Sequence, residues 1–113
     1  MPSIITIIDD DSSVCRSTAR ILKSAGYETK IYGSAMEFLE RGTKPNCILL
    51  DINMPGMSGL ELQTMLVEDN FDTPIVFITA NADIPKSVQA IKAGAIDFLE
   101  KPFEDVQLLS AVE

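Results

Sequence analysis

The residues of this sequence best suited to chemistry are aspartates that directly follow apolar runs. Asp9 and Asp10 follow an apolar run over residues 4–8, and Asp51 follows another over residues 47–50. An aspartate at the end of a strand often only caps the next helix. Three carboxylates brought within ~4–6 Å of one another, however, repel by kcal/mol amounts and need a cation between them. With no histidine in the chain, such oxygen ligands favour Mg²⁺, or Mn²⁺, over zinc.

Two further polar residues stand where predicted strands end, Thr79 and Lys101. Bound Mg²⁺ usually keeps several waters and shares its remaining positions with a phosphate, for which a small acidic cluster leaves room. A lysine presents a mobile positive charge to phosphate oxygens, and a threonine hydroxyl can donate a hydrogen bond to one. Asp51 could then act as a nucleophile that forms an aspartyl-phosphate.

The apolar pattern predicts five strands that alternate with five helices. Runs rich in β-branched and other apolar residues predict strands over residues 4–8, 27–32, 47–51, 75–79 and 95–99. Helical spacing predicts helices over residues 12–25, 34–41, from 58 and from about 84 to 93, and a fifth that begins with Leu108, Leu109 and Val112. The helix residues expected to face the core include Phe38, Leu39, Leu62, Met65, Leu66, Val88 and Ile91. The polar residues expected to face outward on the fourth helix are Lys86, Gln89 and Lys92.

This alternation predicts an α/β fold, a doubly wound parallel sheet with helices on both faces and right-handed crossovers. At this length the flavodoxin-like strand order 2-1-3-4-5 is the economical choice. In that order strands one and three are neighbours, and their carboxyl ends form a crevice. Asp9, Asp10 and Asp51 should therefore meet there, with Thr79 and Lys101 beside them.

Composition limits the other functions available. The 113 residues suffice for one domain, and a net charge of −8 argues against direct binding of nucleic acid. No apolar run approaches the ~20 residues that cross a bilayer, and no signal peptide is recognisable, so we expect a cytoplasmic protein without membrane contact. Cys15 and Cys47 are expected to be packing residues. The chain stops inside its last predicted helix without a capping signal, so we expect a truncation within or just after that helix.

The residues at the strand ends resemble the signature of response-regulator receiver domains of two-component signalling, which have the CheY-like fold. The resemblance covers practically the whole chain, residues 1–113 forming a single receiver domain, and residues 90–103 are similar in particular to regulators of the FixJ type. The residues that carry the signature are Asp9, Asp10, Asp51 before Met-Pro-Gly-Met-Ser-Gly, Thr79, and Lys101 followed by Pro102.

The resemblance implies that Asp51 accepts a phosphoryl group from a sensor histidine kinase and that Lys101 is its counter-charge. It implies a cis peptide bond between Lys101 and Pro102, and a switch in which Thr79 moves toward the phosphoryl group while Phe98 turns inward. The Mg²⁺ ligands that it implies are Asp9, Asp10, the Asp51 side chain and the backbone carbonyl of Asn53.

The resemblance also implies that the domain is not an enzyme for outside substrates and catalyses only its own phosphorylation and dephosphorylation. Phosphorylation would alter the face formed by the fourth helix, fifth strand and fifth helix, and would favour a homodimer. DNA would be bound only through a C-terminal output domain that this sequence lacks.

Departures from the FixJ pattern and rival functions complete the interpretation. The chain has residues 80–82, Ala-Asn-Ala, where Gly-His-Gly is expected, and Asn53 where an arginine is expected, so the lifetime of a phosphorylated form does not carry over. A flavodoxin-like cofactor site is disfavoured because the acidic turn at Asp9 would repel a flavin phosphate. A haloacid-dehalogenase-type phosphohydrolase would need an aspartate where Asn53 stands. A non-phosphorylated adaptor is the third alternative, and the complete acidic set argues against it.

Overall fold

The computed structural model of the protein describes residues 3–70, 72–79, 84–101 and 103–112. Its strands and helices alternate along the chain as predicted. The strands are β1 Ile4–Ile8, β2 Glu28–Tyr32, β3 Cys47–Asp51, β4 Ile75–Thr79 and β5 Asp97–Glu100. The helices are α1 Ser12–Ser24, α2 Ala35–Arg41, α3 Gly59–Glu68, α4 Ile84–Lys92 and α5 Asp105–Val112. No helix within these described ranges has both the length and the apolar character to cross a membrane.

The sheet has the order β2-β1-β3-β4-β5, and the neighbouring strands pair in parallel. The predicted α/β fold and strand order are therefore confirmed. Every residue of β3 and β4 is buried, which explains why both strands are continuous apolar runs rather than alternating ones. β5 begins two residues later than predicted, and the polar first residue Asp97 is exposed.

The core consists of two layers, one on each face of the sheet. Ile48 and Leu50 of β3 pack in the layer covered by α2, α3 and α4, whereas Leu49 packs in the layer covered by α1 and α5. This division follows from the alternation of side chains along a strand. Cys15 and Cys47 lie in the second layer, and burial raises the pKa of each thiol to about 11, so both are packing residues as expected.

Several helix faces differ from the predicted ones. Leu39, Met65, Val88 and Ile91 were expected to face the core, and all four are exposed. The buried positions of α3 and α4 include Gln63 and Ala90 instead, and the Gln63 side-chain amide donates a hydrogen bond to the Ala90 carbonyl at 2.9 Å. Ala90, although small, packs in the same core layer as Leu62 and Phe77. The spacing of apolar residues could not predict that α3 and α4 bury this face rather than the neighbouring face with the larger side chains.

Two caps determine how the chain leaves the strand ends that carry the aspartates. Asp11 is the N-cap of α1 and accepts hydrogen bonds from the Ser13 and Val14 backbone N–H groups. Ser58 begins α3 with a capping box, in which its hydroxyl and the Glu61 carboxylate each accept from the other residue's backbone. Asp11, the third aspartate of the acidic run, therefore caps α1, and Asp9 and Asp10 are the two that can line the crevice.

Gly59 places α3 directly under the end of β3. Its N–H donates to the Ile52 carbonyl at 2.9 Å, and a Cβ at this position would overlap the Asp51 carbonyl oxygen. The glycine thus allows the first turn of α3 to contact the backbone that carries Asp51.

We predict that Gly59→Ala lowers the free energy of unfolding by about 1–3 kcal/mol, because the added methyl group must displace the Asp51 backbone. Gly33→Ala is the matched control, since a Cβ there meets only the Glu37 carboxylate at an ordinary 3.7 Å. Urea unfolding of both variants measures the difference. Equal stability of the two variants would contradict the close approach.

Candidate functional site

Three carboxylates meet at the carboxyl edge of the sheet, as the strand order predicts. Asp9 and Asp10 follow β1, and Asp51 ends the neighbouring β3. One carboxylate oxygen from each lies within 4.8 Å of the others. Asp9 and Asp51 are only 1% and 5% exposed, whereas Asp10 is exposed to solvent. The cluster therefore has a buried pair of acids and an open side.

Lys101 supplies a positive charge directly beside this buried pair. Its Nζ lies 2.7 Å from Asp9 Oδ2 and 3.9 Å from Asp51 Oδ2, and its backbone N–H donates to the Thr79 carbonyl at 2.7 Å. Burial by itself would lower the pKa of Lys101, but the hydrogen bond to Asp9 and the charges of Asp51 and Asp9 outweigh it, so that the pKa is raised. Lys101 therefore stays charged, but one ammonium faces more than one carboxylate.

The electrostatics of Asp51 show that this compensation is incomplete. Burial, followed by the negative charge of Asp9, raises the pKa of Asp51 from 3.8 to about 7, against the opposing charge of Lys101. Asp51 thus carries its negative charge at an energetic cost that a divalent cation would remove. The donor set fits Mg²⁺, because it consists of closely spaced carboxylate oxygens with one exposed member and contains neither nitrogen nor sulfur.

Thr79 and Asn53 lie beside Asp51, at the end of β4 and just after β3. Thr79 ends β4 and is 1% exposed. The Asn53 side-chain amide donates to Thr79 Oγ1 at 3.4 Å, and the Asn53 backbone N–H donates to Asp51 Oδ1 at 3.3 Å. Asn53 therefore contacts both the aspartate and the threonine that the sequence singled out.

Lys86 is the site residue that sequence reasoning missed. It was expected to face outward on the fourth helix, which is wrong. Lys86 is half-buried in the first turns of α4, and its Nζ donates to Asn53 Oδ1 at 3.4 Å. Its position soon after the end of β4 was the available signal, because the helix that follows a parallel strand begins at the carboxyl edge of the sheet.

Of the remaining residues singled out in the sequence, the structure describes Phe98 but not Pro102 or residues 80–82. Phe98 is half-buried in β5, and its ring centroid lies 6.4 Å from that of Phe77 in the neighbouring strand. Pro102 and residues 80–82 lie outside the described residues. The expected cis peptide bond after Lys101 and the loop that departs from the FixJ pattern are therefore not tested.

The raised pKa of Asp51 predicts a pH-dependent stability in metal-free solution. The folded-state pKa of about 7 lies above the ordinary value of 3.8, so between pH 3.8 and 7 the native state holds a proton on Asp51 that the unfolded state has lost. The free energy of unfolding therefore falls as the pH rises through this range. We predict that Asp51→Asn is more stable than the wild type at pH 8 by roughly 2–4 kcal/mol, and that the difference vanishes as the pH is lowered towards 4. Urea unfolding in EDTA measures it.

Asp72→Asn is the control for this measurement, because Asp72 is an exposed partner of Lys44 at 2.7 Å. It should show no gain in stability at pH 8. Added Mg²⁺ should stabilise the wild type and remove most of the advantage of Asp51→Asn, since it binds the native acidic cluster. An Asp51→Asn variant whose stability follows that of the wild type at every pH would contradict the raised pKa.

Comparisons with known proteins agree with this geometry. Residues 5–113 match the family described as "Response regulator receiver domain". Nodulation protein W of Bradyrhizobium diazoefficiens is 46% identical over 113 residues, which cover 97% of this chain and 49% of that protein. Transcriptional regulatory protein FixJ of the same organism is 39% identical over 111 residues, which cover 96% of this chain and 54% of that protein.

A solved structure leads to the same family. The structure titled "Crystal structure of FixJ-N" is 37% identical, superposes with a TM-score of 0.87, and is matched over 99% of this chain and 91% of that chain. This chain spans about half the length of the two curated relatives. From the family match over nearly all of the sequence, together with the FixJ relatives, it follows that the chain belongs to the response regulator receiver domains, and specifically to those of the FixJ type.

Proposed function

We propose that this domain is the phosphoacceptor part of a bacterial two-component response regulator, in which Asp51 receives a phosphoryl group from a sensor histidine kinase in the cytoplasm. The observation that carries the proposal is the clustering of Asp9, Asp10 and Asp51 within 4.8 Å beside the ammonium of Lys101. No packing role requires three acids and a half-buried lysine at one sheet edge. Phosphoryl transfer requires this combination of nucleophile, metal ligands and counter-charge.

In the proposed site, Mg²⁺ would be held by the side chains of Asp9, Asp10 and Asp51 and by the backbone carbonyl of Asn53, with Mn²⁺ as an alternative. When bound, the metal neutralises charge on the oxygens of the incoming phosphoryl group. Lys101 is already within 3.9 Å of Asp51 and can turn from Asp9 toward a phosphoryl oxygen. Asp9, as a ligand of the bound Mg²⁺, would then still have a cation beside its carboxylate.

The chemical step forms one bond and breaks one bond. A carboxylate oxygen of Asp51 attacks phosphorus, the phosphorus–nitrogen bond of the kinase phosphohistidine breaks, and the imidazole leaves with the electron pair and takes up a proton. Attack of water on the same phosphorus later releases inorganic phosphate and restores the carboxylate. The domain would thus catalyse only its own phosphorylation and dephosphorylation, which agrees with membership of a signalling family.

The proposed switch uses the two residues beside the aspartate. Phosphorylation of Asp51 adds roughly −1.5 to −2 charges and strong hydrogen-bond acceptors, toward which the Thr79 hydroxyl can move. Phe98, packed against Phe77 at the edge of the core, can turn into the space that this movement opens. Reversing a 1:99 equilibrium needs about 5.5 kcal/mol of differential stabilisation, which a metal bond and several charge-assisted hydrogen bonds can supply.

The signal would leave through the face formed by α4, β5 and α5. Val88 and Ile91 of α4 are 46% and 47% exposed, an apolar surface suited to a homodimer that forms on phosphorylation. The curated relatives are about twice as long, and FixJ is named a transcriptional regulatory protein. A C-terminal output domain that binds DNA would therefore be the element controlled by this face.

The phosphoacceptor role predicts which variants gain mass. Incubated with acetyl phosphate and Mg²⁺, the wild type and the control Asp72→Asn should each gain the mass of one phosphoryl group, and Asp51→Asn should gain none. Omitting Mg²⁺ should slow the gain by well over about tenfold, because the charge of the phosphoryl oxygens is no longer neutralised. Mass spectrometry of the intact chain measures all four samples. A wild type that gains nothing, or an Asp51→Asn variant that gains as much, would overturn the proposal.

The dimer predicts a second, independent result. With beryllofluoride and Mg²⁺ as a phosphoryl mimic, light scattering should show the wild type doubling its mass, and Ile91→Glu should remain a monomer because a charge interrupts the apolar surface. Val67→Glu on α3 is the matched control, since Val67 is 53% exposed but lies on another helix, and it should still dimerise. An unchanged mass of the wild type would remove the dimer from the proposal.

A further inference from the structure

A chain of hydrogen bonds connects α4 to the aspartate site through one asparagine side chain. Lys86 Nζ donates to Asn53 Oδ1 at 3.4 Å, and the Asn53 amide nitrogen donates to Thr79 Oγ1, also at 3.4 Å. The backbone N–H of the same asparagine donates to Asp51 Oδ1 at 3.3 Å. The first turns of α4 thus contact the phosphoacceptor loop at Asn53.

The position of Lys86 follows from the face that α4 buries. Ala90 is fully buried, and Lys86 lies four residues earlier, on the same side of the helix. Val88 and Ile91 consequently face solvent, and Lys92 at the other end of the helix is exposed. The helix therefore turns Lys86 inward at the edge where the site lies.

The chemistry of lysine determines the orientation of the asparagine. An ammonium group only donates hydrogen bonds, so its partner on Asn53 must be the amide oxygen. With that oxygen turned toward α4, the amide nitrogen is left to face Thr79 and can only donate to the threonine oxygen. Without the lysine, the amide could rotate and present its oxygen to Thr79 instead.

The arrangement favours one position of Thr79. While Thr79 Oγ1 accepts from the Asn53 amide, it lies on the side of the crevice toward Asn53. Movement of the hydroxyl toward a phosphoryl group on Asp51 breaks this hydrogen bond. The bonds from Lys86 through Asn53 to Thr79 therefore belong to the resting arrangement and oppose the activated one.

We propose that Lys86 is a positioning residue that orients the Asn53 amide, holds Thr79 in its resting position, and so restrains the domain from activation before Asp51 is phosphorylated. The holding of Thr79 stands on the geometry of the unphosphorylated domain, whereas the restraint on activation rests on the proposed function. Because the hydrogen bonds are long and partly exposed, the expected effect of removing Lys86 lies at the lower end for a hydrogen bond, about two- to fivefold in the activation equilibrium.

The test compares Lys86→Met, which keeps the length of the side chain but removes its charge and donors, with Lys92→Met on the same helix. The first readout is the NMR shift of the Thr79 methyl group in the untreated protein. The second is the concentration of beryllofluoride, with Mg²⁺, that half-saturates the domain. Lys86→Met should move the methyl resonance in the direction seen in Asn53→Ala and should tighten beryllofluoride binding about two- to fivefold. Lys92→Met and the donor-preserving Lys86→Arg should leave both readouts near the wild type.

The double variant of Lys86→Met with Asn53→Ala distinguishes positioning from a general effect of charge. If Lys86 acts through Asn53, the double variant should bind beryllofluoride no more tightly than Asn53→Ala alone. Additive effects, or equal effects of Lys86→Met and Lys92→Met, would overturn the proposal. If the wild type gains no mass from acetyl phosphate and ignores beryllofluoride, the proposed function fails, and the Thr79 methyl shift in the untreated protein still decides whether Lys86 holds Thr79.

Discussion

The site is governed by the repulsion between two buried carboxylates at the ends of neighbouring strands. Asp9 and Asp51 are almost inaccessible to water, and the Lys101 ammonium lies 2.7 Å from the first carboxylate and 3.9 Å from the second. Burial and the proximity of Asp9 raise the pKa of Asp51 to about 7. The repulsion between the two carboxylates raises the free energy of the domain, and binding of a cation lowers it. In the proposed function, this favours binding of Mg²⁺ and transfer of the phosphoryl group.

The fold makes this repulsion unavoidable. Parallel pairing of β1 with β3 brings their carboxyl ends to one edge, and the apolar residues of both strands are buried in the two layers of the core. The aspartates cannot separate without moving strands whose side chains fill that core. Gly59 allows α3 to contact the Asp51 backbone from below, so the end of β3 is held on that side as well. The packing of the whole sheet thus offsets the free energy by which the acidic cluster destabilises the fold.

The strands, their order and the meeting of Asp9, Asp10 and Asp51 could be predicted because each rests on a strong local pattern. Apolar runs that end on a polar residue locate the strand ends, and parallel topology brings those ends together. The faces of α3 and α4 could not be predicted in the same way. Ala90 and Gln63 are buried because of what lies opposite them, whereas the larger Val88 and Met65 remain exposed. The inward turn of Lys86 follows from that choice of face, so its position soon after β4 indicated the edge of the sheet but not its contact with Asn53.

Titration of Mg²⁺ into the metal-free domain, with the protons released measured in buffers of different ionisation enthalpy, tests the central claim most directly. Since burial and the charge of Asp9 raise the pKa of Asp51 to about 7, bound Mg²⁺ should expel a measurable fraction of a proton at pH 7 and almost none at pH 9. Asp51→Asn should release almost none at either pH. Saturating Mg²⁺ binding without proton release at pH 7, or no binding at all, would contradict an acidic cluster that a divalent cation relieves.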